Sequence, residues 1–195
     1  MDISSPSSRQ APDGLIARVL IPRQRIAHRV AELAAQIAPC YDGGELTILA
    51  VLTGAVVFLS DLLRHLPLRI RLETLRVVSY PARTTVSQGP SVPAPLSADL
   101  AGQNVLIVDD ILDSGQTPHA IRSLPAVART ASLRTCVLLR KRRTDLPGRA
   151  EADFVGFDVD DHFVVGYGLD YDDLYRNLPD ICVLKSPLGG GRASE

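Results

Sequence analysis

Apolar positions along this chain fall into two rhythms, and the order in which those rhythms alternate predicts the architecture. Ile26, Val30, Leu33, Ala34 and Ile37 recur three or four residues apart, the spacing of a helix with one buried face. Pro22 sits in the first turn of that helix, where a missing N–H costs nothing, and Pro39 with the turn Asp42-Gly43-Gly44 ends it. Residues 46–52, apolar apart from Thr47, predict a buried strand. A second helix is expected over 56–66, stopping at His65-Leu66-Pro67. Leu68, Ile70 and Leu72 then alternate with Arg69, Arg71 and Glu73, as in a half-exposed strand, and the segment runs on through Leu75-Arg76-Val77-Val78. Residues 105–108 predict another buried strand, followed by a helix from Thr117-Pro118 that Pro125 cuts short. Two further strands, about 133–139 and 154–157, lead to 163–167.

Strands alternating with helices predict a mostly parallel, doubly wound α/β sheet. Ligands in such sheets bind at the carboxyl ends of the strands, which is where Thr53-Gly54, Asp109-Asp110 and Lys141 fall. Residues 79–98, with four prolines and many hydroxyls, read as a long loop inside one domain, and such loops are commonly lids. The domain is expected to span 15–186, between Ser/Pro-rich residues 1–14 and a tail at 187–195, both expected to be disordered.

Composition narrows the function classes. At 195 residues, 46% hydrophobic and 22% charged, the chain suits one globular domain with an ample core. A net charge of −1 supplies no global field for nucleic acid. Cys40, Cys136 and Cys182 have neither disulfide nor zinc spacing, which favours a reducing compartment. The polar N-terminus lacks a signal-peptide core, and the most apolar stretch, 46–63, is broken by Thr53-Gly54 and carries Asp61. Neither a membrane span nor export is expected, and the cytoplasm is the expected location.

Candidate chemistry concentrates in residues 105–117, VLIVDDILDSGQT. Asp109 and Asp110 stand where a buried strand emerges, and Asp113, Ser114, Gly115, Gln116 and Thr117 lead into a helix. Gly115 permits a tight turn whose successive N–H groups can converge on one anion. The helix N-terminus and the hydroxyls of Ser114 and Thr117 add to it. The carboxylates suit sugar hydroxyls or hydrated Mg²⁺. An acidic strand end with an Asx-type cap would give the bare acidic pattern too. The absence of a GxxxxGK[ST] string argues against a P-loop enzyme.

This string resembles the phosphoribosyl-pyrophosphate (PRPP) signature of type I phosphoribosyltransferases, and most closely its form in hypoxanthine-guanine phosphoribosyltransferases. LAVLTGAVVFLSDLLRHL resembles the family's pyrophosphate loop and helix, VVSYPARTTVSQG its Ser-Tyr lid, and LLRKRR the strand carrying a base-reading lysine. DFVGFDVDDHFVVGYGLDYDDLYRNLPDICVL resembles its C-terminal purine-binding region. Together these segments cover about residues 15–185 in the family's order. The resemblance implies the type I fold, a twisted sheet flanked by helices with a small C-terminal hood and a flexible lid.

It also implies a reaction, transfer of the 5-phosphoribosyl group from Mg-PRPP to N9 of hypoxanthine or guanine, with roles for particular residues. Asp109 and Asp110 would hold the ribose hydroxyls and metal. Asp113 would act as general base near purine N7, although a helix cap would explain it equally. Residues 113–117 would hold the 5′-phosphate. Lys141 would donate to the 6-oxo group, Phe163 would stack on the base, and Val164 would offer backbone groups. Asp170 would lie at the metal and purine, and Arg176 with Thr53 and Gly54 at the pyrophosphate. Ser79 and Tyr80 would begin the lid. The peptide before Thr53 can be cis in this family, and a homodimer or homotetramer is implied.

Three positions depart from the family's usual pattern. Thr53 stands where a basic residue is frequent, Asp109 where Glu is commoner, and Pro81 replaces a small residue after Ser79-Tyr80. A xanthine- or hypoxanthine-preferring enzyme is the nearest alternative function. A non-catalytic PRPP-sensing regulator is another, but it would be expected to carry a basic face or an added module.

Overall fold

The computed structural model describes residues 14–41, 44–77, 99–142 and 151–185. The expected disordered termini, the lid with Ser79 and Tyr80, and Asp42-Gly43 of the first turn lie outside the described residues. Five strands, β2 (Glu45–Leu52), β3 (Arg69–Arg76), β4 (Asn104–Leu112), β5 (Ser132–Lys141) and β6 (Phe154–Val159), make one sheet in the order β3-β2-β4-β5-β6. All four pairings are parallel, as the alternation of strands with helices predicted. Helices α1 (Arg23–Ile37) and α2 (Val56–His65) cover one face, and the short α3 (Gln116–Arg122) contributes to the other.

The central strands feed both layers because successive side chains on a strand point to opposite faces. Leu46, Ile48 and Ala50 of β2 join Leu106 and Val108 of β4 beneath the buried stripe of α1, Ile26, Val30, Leu33, Ala34 and Ile37. Leu49, Val51, Val105 and Ile107 pack the opposite way with Ile121 of α3. Arg29 reaches from α1 to the carbonyls of Val155 and Gly156 at 2.9 and 2.8 Å, tying that helix to the far edge strand.

A second, three-stranded sheet sits beside the first in the order β1-β8-β7, from β1 (Ile16–Ile21), β7 (Val164–Val165) and β8 (Ile181–Leu184). The expected C-terminal hood also takes in an N-terminal strand that the sequence reading did not include. Ile16 pairs with Leu184 and Ile21 with Ile181, antiparallel. IARVLI shows no clean alternation, and its burial runs from half-buried through exposed to buried, so periodicity alone does not reveal an edge strand.

Deleting side-chain volume between the layers should be costly. Leu106→Ala, at a fully buried position of β4, is expected to lower unfolding free energy by about 2–5 kcal/mol, read by urea denaturation monitored by circular dichroism.

Candidate functional site

The site exists because β4 outlasts one of its neighbours. β2 pairs with β4 only as far as Ala50 opposite Val108, whereas β5 follows β4 to Leu112 opposite Arg140. From Asp109 onward β4 therefore has an open flank, and a cavity of about 780 Å³ lies there. Thr53, Gly54, Asp109, Asp110, residues 113–117, Asp170 and Arg176 all line it. The structure thus brings the expected ribose, phosphate and pyrophosphate residues to one place.

Asp109 is buried, and its carboxylate accepts the Asp110 N–H at 3.0 Å. The Asp110 carboxylate accepts the Ile111 N–H at 2.8 Å. Burial, then the charge of Asp110, hold the Asp109 carboxyl well above the usual carboxylate range. Burial raises Asp110 as well, against backbone hydrogen bonds and the Arg176 charge that favour its ionised form. Two carboxyls this close resist ionising together. A cation or a set of hydroxyl donors arriving in the cavity would relieve that strain.

The turn that follows has Gly115 at φ 79°, in the left-handed region open to glycine. Ser114 Oγ makes only a long 3.4 Å contact with the Gln116 N–H, and α3 has no side-chain cap at Gly115. The Asp113 carboxylate faces Lys141, with Oδ2 at 3.1 Å from Nζ.

Lys141 ends β5, and strand alternation singles it out from the run of basic residues. Arg140 pairs with Asp158 at 2.6 Å and with Glu151 at 3.2 Å, and Arg142 with Asp160 at 3.3 Å. Lys141, on the other side, is buried between Asp113 and Asp161, the latter at 2.8 Å. Its ammonium stands 5.8 Å from the centre of the Phe163 ring, which is 58% exposed. Val164 is buried next to it in β7. These three do not line the main cavity; they adjoin it through Asp113. Asp161 was absent from the sequence-based candidates, and its only signal was its place two residues before the aromatic.

Arg176 pairs with Asp170 at 2.8 Å and Asp173 at 3.1 Å, and donates to the Gly168 carbonyl at 2.8 Å. The Leu52–Thr53 peptide is cis. A Cβ on Gly54 would overlap the Asp110 carboxylate, and one on Gly168 would overlap the Gly54 carbonyl. Asp109, Asp110 and Asp170 do not converge on one point: among the described residues no three metal-ligating side chains are grouped to hold an ion. No described helix is long and apolar enough to cross a membrane.

A parallel sheet with a glycine turn, an acidic strand end and guanidinium-bearing walls at its carboxyl edge defines an α/β protein with a site suited to a phosphorylated ligand. The chain belongs to the phosphoribosyltransferase family: the phosphoribosyl transferase domain matches residues 21–172. A hypoxanthine-guanine phosphoribosyltransferase of Mycobacterium avium is 40% identical over 178 residues, covering 88% of this chain and 87% of the relative. A hypoxanthine phosphoribosyltransferase of Escherichia coli K12 is 36% identical, covering 84% and 92%. The solved structure of Trypanosoma cruzi hypoxanthine phosphoribosyltransferase in complex with the product IMP superposes with a TM-score of 0.79 at 34% identity, covering 90% and 98%.

The elevated proton affinity of Asp109 has a consequence for stability. Above the ordinary aspartate pKa of about 3.9, the unfolded chain releases this proton while the folded chain retains it. Stability therefore falls as pH rises from that value through the raised one. Asp109→Asn removes the penalty, so without divalent cations its melting temperature is expected to exceed the wild type's by a few degrees at pH 7. The difference should vanish below about pH 4; calorimetry across pH checks it.

Proposed function

We propose that the protein salvages purines by moving the 5-phosphoribosyl group of PRPP to N9 of hypoxanthine or guanine, giving IMP or GMP and pyrophosphate. The observation that carries this reading is the Lys141–Asp113 pair at the edge of a phosphate-binding turn. The major-groove edge of a 6-oxopurine offers O6 and N7 side by side. An ammonium and a carboxylate in contact match O6 as acceptor and a protonated N7 as donor. Adenine would set an amino group against the ammonium and leave a buried donor unpaired, which sites of this kind reject strongly.

The remaining residues follow from the same pose. Backbone N–H groups of residues 114–117 and the hydroxyls of Ser114 and Thr117 hold the 5′-phosphate. Asp109 and Asp110 accept the ribose hydroxyls, an arrangement that offsets the cost of their burial. Phe163 gives the base a flat apolar face, and Val164 its backbone. Arg176, oriented by Asp170, Asp173 and the Gly168 carbonyl, meets the pyrophosphate with Thr53 and Gly54. As N9 bonds to C1′, Asp113 takes the proton from N7 and pyrophosphate leaves toward Arg176.

The donor set fits Mg²⁺, which favours one or two carboxylates completed by substrate phosphates over an all-protein cage. Asp109, Asp110 and Asp170 would hold it only together with the substrate's own oxygens, since they form no common cage, and it would neutralise the pyrophosphate as it departs. The family reading further carries assembly as a homodimer or homotetramer, checked by light scattering, and a cytoplasmic location. It includes no nucleic-acid or membrane partner.

A purine panel with Mg²⁺ and PRPP is expected to show turnover of hypoxanthine and guanine and none of adenine. Asp113→Ala should lower kcat by about 10²–10⁴-fold; full activity in that variant would remove Asp113 as the base. Lys141→Gln should raise the KM for hypoxanthine by about tenfold or more, with less effect on PRPP. Turnover of no purine by the wild type would favour the regulator.

A further inference from the structure

Arg76 lines the cavity, and none of the assignments above uses it. It is the last residue of β3, and the parallel pairing sets it opposite Leu52 in the final rung between β2 and β3. Side chains paired across strands share a face, so Arg76 lies on the face of Ile48, Ala50 and Leu52. On that face the chain turns through Thr53 and Gly54 into α2. Neighbouring strands are about 4.8 Å apart, well within the reach of an arginine, so the guanidinium can serve an anion held by the Thr53-Gly54 turn.

The charge balance of the cavity gives that position its meaning. Among the described residues, five carboxylates line it, Asp109, Asp110, Asp113, Asp170 and Asp173, against two guanidinium groups, Arg76 and Arg176. Arg176 already serves Asp170, Asp173 and the Gly168 carbonyl. Arg76 is exposed and, among the described residues, makes no ion pair or hydrogen bond. It is therefore the lining cation whose fork of donors is open to an incoming anion, and that fork suits phosphate oxygens in pairs. Thr53, where a basic side chain is frequent in the family, brings a hydroxyl and no charge.

We infer that Arg76 binds the pyrophosphate of PRPP from the β3 side, supplying the positive charge that the turn after β2 lacks in this chain. The arrangement moves a cation from one strand end to its neighbour, so pyrophosphate lies between Arg76 and Arg176.

This inference rests on the phosphoribosyl-transfer reading, and the experiment keeps the two apart. Wild-type protein that turns over no purine with PRPP ends the parent reading. With the wild type active, Arg76→Gln is expected to raise the KM for PRPP, and for pyrophosphate in the reverse reaction, by about tenfold or more. The KM for the base should change by less than about twofold, a difference of under half a kcal/mol. Arg76→Lys should recover part of the loss, and Thr53→Lys added to Arg76→Gln should lower the pyrophosphate KM again. Calorimetric titration with Mg-pyrophosphate reads the same weakening without turnover. Unchanged PRPP and pyrophosphate constants in Arg76→Gln would overturn the inference. An equal rise in the KM for the base would overturn it as well, because that marks general damage to the site.

Discussion

Everything at the site depends on an empty volume, the place where Gly54 has no side chain. The Asp110 carboxylate occupies it from the sheet, and the Gly54 carbonyl meets Gly168 of the hood on its other side. Sheet edge, turn and hood are thus held in mutual contact through one residue. The Tyr167 hydroxyl, donating to Asp61 of α2, fastens the same hood turn to the helix that Gly54 introduces. Burial and the Asp61 carboxylate hold that phenol protonated far above its ordinary range. Any side chain at Gly54 would displace the Asp110 carboxylate, and one at Gly168 would push the hood off the Gly54 carbonyl.

A second constraint is electrostatic. A cavity for a polyanion would be expected to be basic, yet this one is rich in carboxylates. Under the proposed function the phosphate ends would meet backbone N–H groups, whose partial charges lose nothing by burial when an anion arrives. Two guanidinium groups and the acidic pair share the lining, and the pair would face the sugar hydroxyls. Segregating the two kinds of group along one substrate fixes its direction in the site, which a uniformly basic cleft would leave open.

The sheet was legible in the sequence because parallel strands buried on both faces are written as apolar runs. Residues 46–52 and 105–108 show it, and both lie within observed strands. The extension of β4 to Leu112 was not, since Asp109 and Asp110 resemble a strand end when no pairing partner is known. Nor was β1, whose edge position leaves no alternation to read. Residues 113–117 were legible as a phosphate turn from glycine and hydroxyl chemistry alone. The role of Asp113 was not, because a cap and a base call for the same residue; what the fold adds is its contact with Lys141. Asp161 and Arg76 escaped for a common reason: each matters through a neighbour far away in sequence, Lys141 for one and the Thr53 turn for the other.

The hood sheet places its last-made strand in the middle, with β8 between β1 and β7. On the ribosome the five parallel strands can assemble while β1 still lacks a partner, since domains form from the N-terminus as they emerge. Ile16–Ile21 then waits as an open edge, the kind of surface that invites pairing with other chains, until Ile181–Leu184 is released. Val164 and Val165 acquire their partners in the same event. The phosphate turn is therefore available to an incomplete chain, whereas the shelf that carries Phe163 is not.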